Sequence, residues 1–148
     1  DLRQTFLNVI TRAKDRSRIQ TYEGKSVDLL KQSADHYDFV FIDGDHRLTN
    51  VVTEVELLLT QQPLCVMAHD TNLQSFGYGD CDGTPYIKWR FQTAPGYYCL
   101  EDSIARPGED TGRGMFFATT SLDLFEAARA SLRKWGQLFP PVDLESTS

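Results

Sequence analysis

Apolar positions change their spacing several times along the chain, and each change marks an element. Leu2, Phe6, Val9, Ile10 and Ala13 fall at i, i+4, i+7, i+8 and i+11, so the spacing predicts a helix ending in the charged turn Lys14 to Arg18. Ile19 to Glu23 alternates as a short strand does, and Gly24 closes it. Ser26 is placed to cap a second, short helix that turns Val27, Leu29 and Leu30 inward. Phe39 to Ile42 is a continuous apolar run, the pattern of a strand buried on both faces of a parallel sheet. Helical spacing returns at Val51, Val52, Val55, Leu58 and Leu59 and stops at Gln61-Gln62-Pro63, after which Leu64 to Ala68 reads as a second buried strand. Strand, helix and strand in that order make a βαβ unit with a right-handed crossover.

Leu73 to Gly83 is rich in glycine and aspartate, an irregular segment able to lie over a site. Pro85 to Phe91 predicts a short helix with proline in its first turn and with Ile87 and Trp89 available for packing. Tyr97 to Asp102 and Met115 to Thr120 predict strands joined by the polar loop Ala105 to Gly114. Leu122 to Trp135 predicts a helix capped by Ser121, with Leu124, Phe125, Ala128, Leu132 and Trp135 on one face. The fold class expected is α/β. No repeat or linker divides the chain, so residues 1–139 are expected to form one domain and residues 140–148 a tail.

Composition narrows the partners. With 148 residues, 41% of them hydrophobic, and a net charge of -6, the chain suits one compact soluble domain. No apolar run approaches the roughly 18 to 20 residues of a membrane span. The acidic balance and scattered basic residues disfavour nucleic acid or an anionic membrane, which leaves a small molecule as the expected partner. Cys65, Cys81 and Cys99 are an odd number, widely spaced and without a C-x-x-C pair, so reduced thiols in a cytoplasmic protein are expected. Association into a homo-oligomer stays open. The sequence begins at Asp1 within a helical pattern, which reads as a fragment of something longer.

Both strands of the βαβ unit end in acids and histidines: Asp43, Asp45 and His46 after the first, His69 and Asp70 after the second. That edge of an open α/β sheet is where ligands bind. If the strands are neighbours, Asp43 and Asp70 come close together, and two such carboxylates repel unless a cation lies between them. A hard divalent ion such as magnesium, held by carboxylate, amide and water oxygens, suits the arrangement. The plainer reading of Asp43-Gly44-Asp45 is a turn that caps the next helix, and that of His69 is a strand-end residue satisfying backbone groups. His46, beyond the strand and beside acids that could orient it, is the better candidate for a base.

The series EGKSVDLL, YDFVFIDGDHRLTNVVTEVELLL and LCVMAHDT resembles the class I S-adenosylmethionine-dependent methyltransferases, in particular the small-molecule O-methyltransferase branch with FIDGDH and HD strand ends. The resemblance runs from Leu2 to about Thr120, with GTPYIKWRF like the helix that follows in such enzymes and GMFFATT like their last strand. It implies a Rossmann-like sheet, mostly parallel with an antiparallel C-terminal strand. It also implies that the sheet is incomplete: the glycine-rich loop and the acid that grip the cofactor belong to an N-terminal half this chain lacks. Glu23, Gly24, Lys25 and Ser26 would lie beside the adenine ring of S-adenosylmethionine. Asp43 would stand at the catalytic centre near the methionine part of the cofactor and, in metal-dependent members, bind magnesium. Asp70 would be the second metal ligand, with Thr71 or Asn72 offering a third oxygen, and His46 would occupy the position of the catalytic base. The implied reaction is O-methylation of a small-molecule hydroxyl: a metal lowers the hydroxyl's pKa, a base takes the proton, and the oxygen attacks the sulfonium methyl in line.

Two rival readings stand beside this one. Asp43-Gly44-Asp45 after an apolar strand also fits a nucleotide-sugar glycosyltransferase that holds manganese and a diphosphate with Asp-x-Asp. The absent cofactor loop fits a catalytically inactive, truncated methyltransferase-like protein that only binds a partner. Tyr78, Tyr86, Trp89 and Arg106 are candidates for lining an acceptor pocket, and each aromatic fits core packing equally well.

Overall fold

Hydrophobic alternation decides which way each strand faces, and the faces decide where the helices pack. A computed structural model describes residues 20, 22–33, 36–72, 79–102 and 114–138, with side chains through Lys134. In chain order the elements are α1 (Ser26–Gln32), β1 (Phe39–Ile42), α2 (Leu48–Gln61), β2 (Cys65–His69), a 3-10 turn (Gly79–Cys81), α3 (Thr84–Thr93), β3 (Tyr98–Asp102), β4 (Met115–Thr119) and α4 (Leu122–Leu138). The sheet order is β1-β2-β4-β3; β1 pairs parallel with β2, and β4 runs antiparallel to both β2 and β3. Three strands therefore share one direction and only the last opposes them, the Rossmann-like α/β arrangement expected.

Val66 and Ala68 of β2 and Phe116 and Ala118 of β4 lie on one face, buried with Val51, Val55 and Leu58 of α2 and Ile87 and Phe91 of α3. Helix α2 ends where Gln62 takes a left-handed conformation, φ 52°, just before Pro63, which cannot continue a helix. Phe91 meets Tyr97 edge-on at 5.2 Å between ring centroids and Phe116 at 6.4 Å, fixing α3 against the sheet. Glu56 ties α2 to α3 by accepting from Arg90 Nε at 2.6 Å and from the Tyr86 hydroxyl at 2.7 Å. On the other face α4 covers β3 and β4, with Tyr98 against Phe125 at 5.6 Å. Ser121 caps α4 as expected, its Oγ accepting from the Leu124 N–H at 3.3 Å.

Several expectations change on contact with the fold. Phe39 and Phe41 are 55% and 48% exposed, not doubly buried, because β1 is the sheet edge and no described element covers that face. Val40 and Ile42, on the other face, do pack against the core. Lys25, not Ser26, holds the cap position of α1, and the Ser26 hydroxyl donates instead to the Glu54 carboxylate on α2. Trp89 is 56% exposed and leans on Tyr86, whereas Ile87 is fully buried. Within the strand predicted over 19–23, Gln20, Tyr22 and Glu23 form no strand, and Ile19 and Thr21 lie outside the described residues. The first predicted helix, Tyr78, Arg106 and the tail also lie outside them. Among the described residues no helix is long and apolar enough to cross a membrane.

Candidate active site

The parallel register pairs Ile42 with Ala68, so β1 and β2 end side by side and release Asp43 and His69 at the same edge. Asp70 follows with φ 55°, a left-handed conformation that aspartate tolerates better than most residues and that turns the chain sharply out of the strand. The result is a cluster: one ligand atom from each of Asp43, His46 and Asp70 lies within 4.8 Å of the other two. His69 Nδ1 stands 3.3 Å from Asp43 Oδ1 and 3.0 Å from Asp70 Oδ1, within reach of both acids. A protonated His69 would offset part of their repulsion.

His46 lies beyond the strand beside the acids, yet its ring is buried, with the residue only 5% exposed. The segment before α3 closes on the backbone that carries it. The Gly83 N–H donates to the His46 carbonyl at 2.9 Å, and the Asp82 carboxylate accepts from the Leu48 N–H, the first of α2, at 2.6 Å. A Cβ on Gly83 would stand 2.6 Å from the His46 carbonyl oxygen and 2.9 Å from Val51 Cβ, so only glycine allows this closure. Thr71, 2% exposed, is held by its N–H to the Gly114 carbonyl at 3.4 Å. Gly114, with φ 83°, leaves no room for a Cβ beside Asn72 and the Thr71 hydroxyl. Neither ring nitrogen of His46 nor the Thr71 hydroxyl finds a hydrogen-bond partner among the described residues. A buried polar group left unpaired costs about 1–3 kcal/mol, which a ligand at this position would relieve.

Asp45, two residues from Asp43, takes no part in this cluster. Its carboxylate accepts from Arg47 Nε at 2.8 Å, from the Arg47 N–H at 3.1 Å and from Asn50 Nδ2 at 2.7 Å. The Arg47 side chain holds its pKa down at about 2. Asp45 thus shapes the approach to α2, the turn role that an Asp-Gly-Asp can always play.

Between α1 and β1 lies an open cavity of about 830 Å³, lined by Gly24, Lys25, Ser26, Phe41, Asp43 and Glu54 among others. This volume falls in the range of small-molecule sites. Four of the five residues expected near the cofactor, Gly24, Lys25, Ser26 and Asp43, therefore share one cavity, and Glu23 is exposed next to them. Asp43 belongs both to the cavity wall and to the acid cluster. Of the acceptor-pocket candidates, the Tyr86 hydroxyl is engaged by Glu56 and Trp89 faces outward. Asp82 and Gly83 were not foreseen as site residues; the only signal for them was the Asp-Gly pair in a segment otherwise read as irregular.

The donor set departs from magnesium in one respect. Asp43 and Asp70 offer the carboxylate oxygens such an ion prefers, but the His46 ring adds nitrogen to the same cluster.

No protein-family model and no curated protein matches the sequence. Solved structures do match. An inferred O-methyltransferase from Klebsiella pneumoniae superimposes with a TM-score of 0.63 at 15% identity, over 79% of this chain and 56% of that one. The cofactor-bound protein Rv0187 from MTB gives 0.59 at 19% identity, over 75% of this chain and 53% of that one. A protein from Corynebacterium glutamicum gives 0.55 at 14% identity, over 80% of this chain and 54% of that one. The chain spans about half the length of these structures. It has the α/β, Rossmann-like fold of a methyltransferase sheet, with four strands among the described residues.

Proposed function

We propose that the whole protein is an S-adenosylmethionine-dependent methyltransferase that methylates a hydroxyl of a small molecule, with a divalent metal beside the acceptor. The observation that carries this reading is the meeting of Asp43 and Asp70 at the carboxyl edge of β1 and β2, beside the cavity, in a sheet of this fold. Gly24, Lys25, Ser26 and Asp43 all border the one cavity, which supports assigning the first three to the adenine ring and Asp43 to the neighbourhood of the reacting methyl. S-adenosylmethionine supplies an electrophilic methyl group, and a divalent ion supplies Lewis acidity toward the acceptor hydroxyl. Asp43 and Asp70 fix where the acceptor oxygen sits, which matters because the transfer requires in-line alignment. His46 is buried, unlike a base that must meet a substrate, so we place it with the acids and not at the acceptor's proton.

The glycosyltransferase alternative needs both acids of Asp43-Gly44-Asp45 on one metal, and Asp45 is committed to Arg47 and Asn50. Thermal unfolding separates the two. A ligand of the folded state raises the melting temperature. S-adenosylhomocysteine is expected to do so in the chain extended by its upstream residues, and uridine diphosphate is not. A shift seen only with uridine diphosphate and manganese would replace the methyltransferase reading.

A further inference from the structure

The acid cluster holds more than a pair of carboxylates, and the extra nitrogen donor narrows the class of ion. Resting on the metal site proposed above, we infer that Asp43, His46 and Asp70 together bind a divalent ion of the nitrogen-accepting transition series, such as manganese or iron, with His46 as a ligand. Three observations converge. The ligand atoms of the three side chains lie within 4.8 Å of one another, a spacing one ion can bridge. His46 is more than nine-tenths buried and both its ring nitrogens lack a partner among the described residues, so the ring has been brought out of water without a protein group to receive it. Thr71, the next residue after Asp70 in the chain, has a buried hydroxyl without a partner among the described residues, and a ligand at this strand end would relieve it. Two carboxylates and one neutral imidazole are the donor mixture of manganese, iron and cobalt sites; magnesium takes oxygen almost exclusively.

The position of His46 follows from the segment that clamps it. Gly83 and Asp82 hold the 46–48 backbone through two hydrogen bonds, which fixes the point from which the His46 ring departs. A histidine fixed in this way is suited to ligation, which needs one constant geometry.

His69 is the competing nitrogen donor, since its Nδ1 already lies beside both acids. The test must tell the two apart, and the chain has only three histidines. Manganese is added to the chain and bound ion is examined by pulsed electron paramagnetic resonance, which detects a directly coordinated imidazole nitrogen. The nitrogen coupling should appear in the wild type and persist in a His36→Gln, His69→Gln double variant, which leaves His46 as the sole imidazole and avoids disturbing a buried residue. Manganese should also bind at least about tenfold more tightly than magnesium by competition. Bound manganese without nitrogen coupling, coupling lost in the double variant, equal affinity for the two ions, or no binding at all would each overturn the proposal. S-adenosylhomocysteine binding is read separately, on the chain extended by its upstream residues: its absence there beside a retained nitrogen coupling would discard the methyltransferase reading and leave this site standing.

Discussion

Gly83 is the most constrained position beside the cluster, and replacing it with alanine tests the clamp directly. The new Cβ would fall 2.6 Å from the His46 carbonyl oxygen and 2.9 Å from Val51 Cβ and Cγ2. Neither neighbour yields cheaply. The carbonyl is backbone and accepts the Gly83 N–H, and Val51 is fully buried in the core. Overpacking of this kind costs about 1–3 kcal/mol. An alanine at an unhindered glycine site instead stabilises by about 0.4–1 kcal/mol through the unfolded chain. Gly44 and Gly79 supply that control, because a Cβ at either meets nothing within 4 Å and neither has a positive φ. At this chain length 1 kcal/mol moves the melting temperature by about 2–4 °C. Gly83→Ala should therefore melt about 2–12 °C below wild type, while Gly44→Ala and Gly79→Ala stay level or rise slightly, as followed by circular dichroism. A Gly83→Ala protein that melts with the two controls would refute the close approach of Gly83 to the His46 backbone.

Further outcomes follow from single residues. Asp70 adopts φ 55°, so Asp70→Ala should lose about 1 kcal/mol relative to Asp70→Asn in urea unfolding, since asparagine tolerates the left-handed region and alanine does not; equal midpoints would remove that argument. Glu56 is held below its ordinary carboxyl range by hydrogen bonds from Arg90 first and Tyr86 second. A lowered acid stabilises the fold above its unfolded pKa and loses that contribution as pH falls through the folded one. The stability gap between wild type and Glu56→Gln, below about 1 kcal/mol for so exposed a pair, should thus shrink below about pH 4.5 and not stay constant from pH 7 to pH 3. Burial pushes the Cys99 thiol up to about 11, so at pH 8 only about one thiol in a thousand is ionised, and alkylation should be slow until the chain unfolds; rapid labelling of the folded protein would contradict this.

The elements were largely legible because their signals are local. Periodic Val51, Val55 and Leu58 forecast the buried face of α2, and the acids after each apolar run forecast the edge where Asp43 and Asp70 meet. What sequence could not supply was the state of each strand's second face. Phe39-Val40-Phe41-Ile42 reads the same whether both faces are covered or only one is. The exposure of Phe39 and Phe41 depends on β1 standing at the edge of the described sheet, a fact about neighbours and not about the run itself.

The roles within Asp43-Gly44-Asp45-His46 were hidden for a related reason. Four adjacent residues look like one functional cluster, but at the end of a strand the backbone turns, and each side chain departs in its own direction. Asp45 is drawn off by Arg47 and Asn50, groups two and five residues on, whose attraction is a local matter of charge and hydrogen bonding. The backbone at His46 is held by partners more than thirty residues away, Asp82 anchoring the start of α2 and Gly83 closing on the His46 carbonyl. Only the assembled chain brings that clamp to the strand end. The histidine that its place beyond the strand makes a candidate base is buried beside two carboxylates with neither ring nitrogen partnered among the described residues, and that burial supports the proposal that it holds an ion.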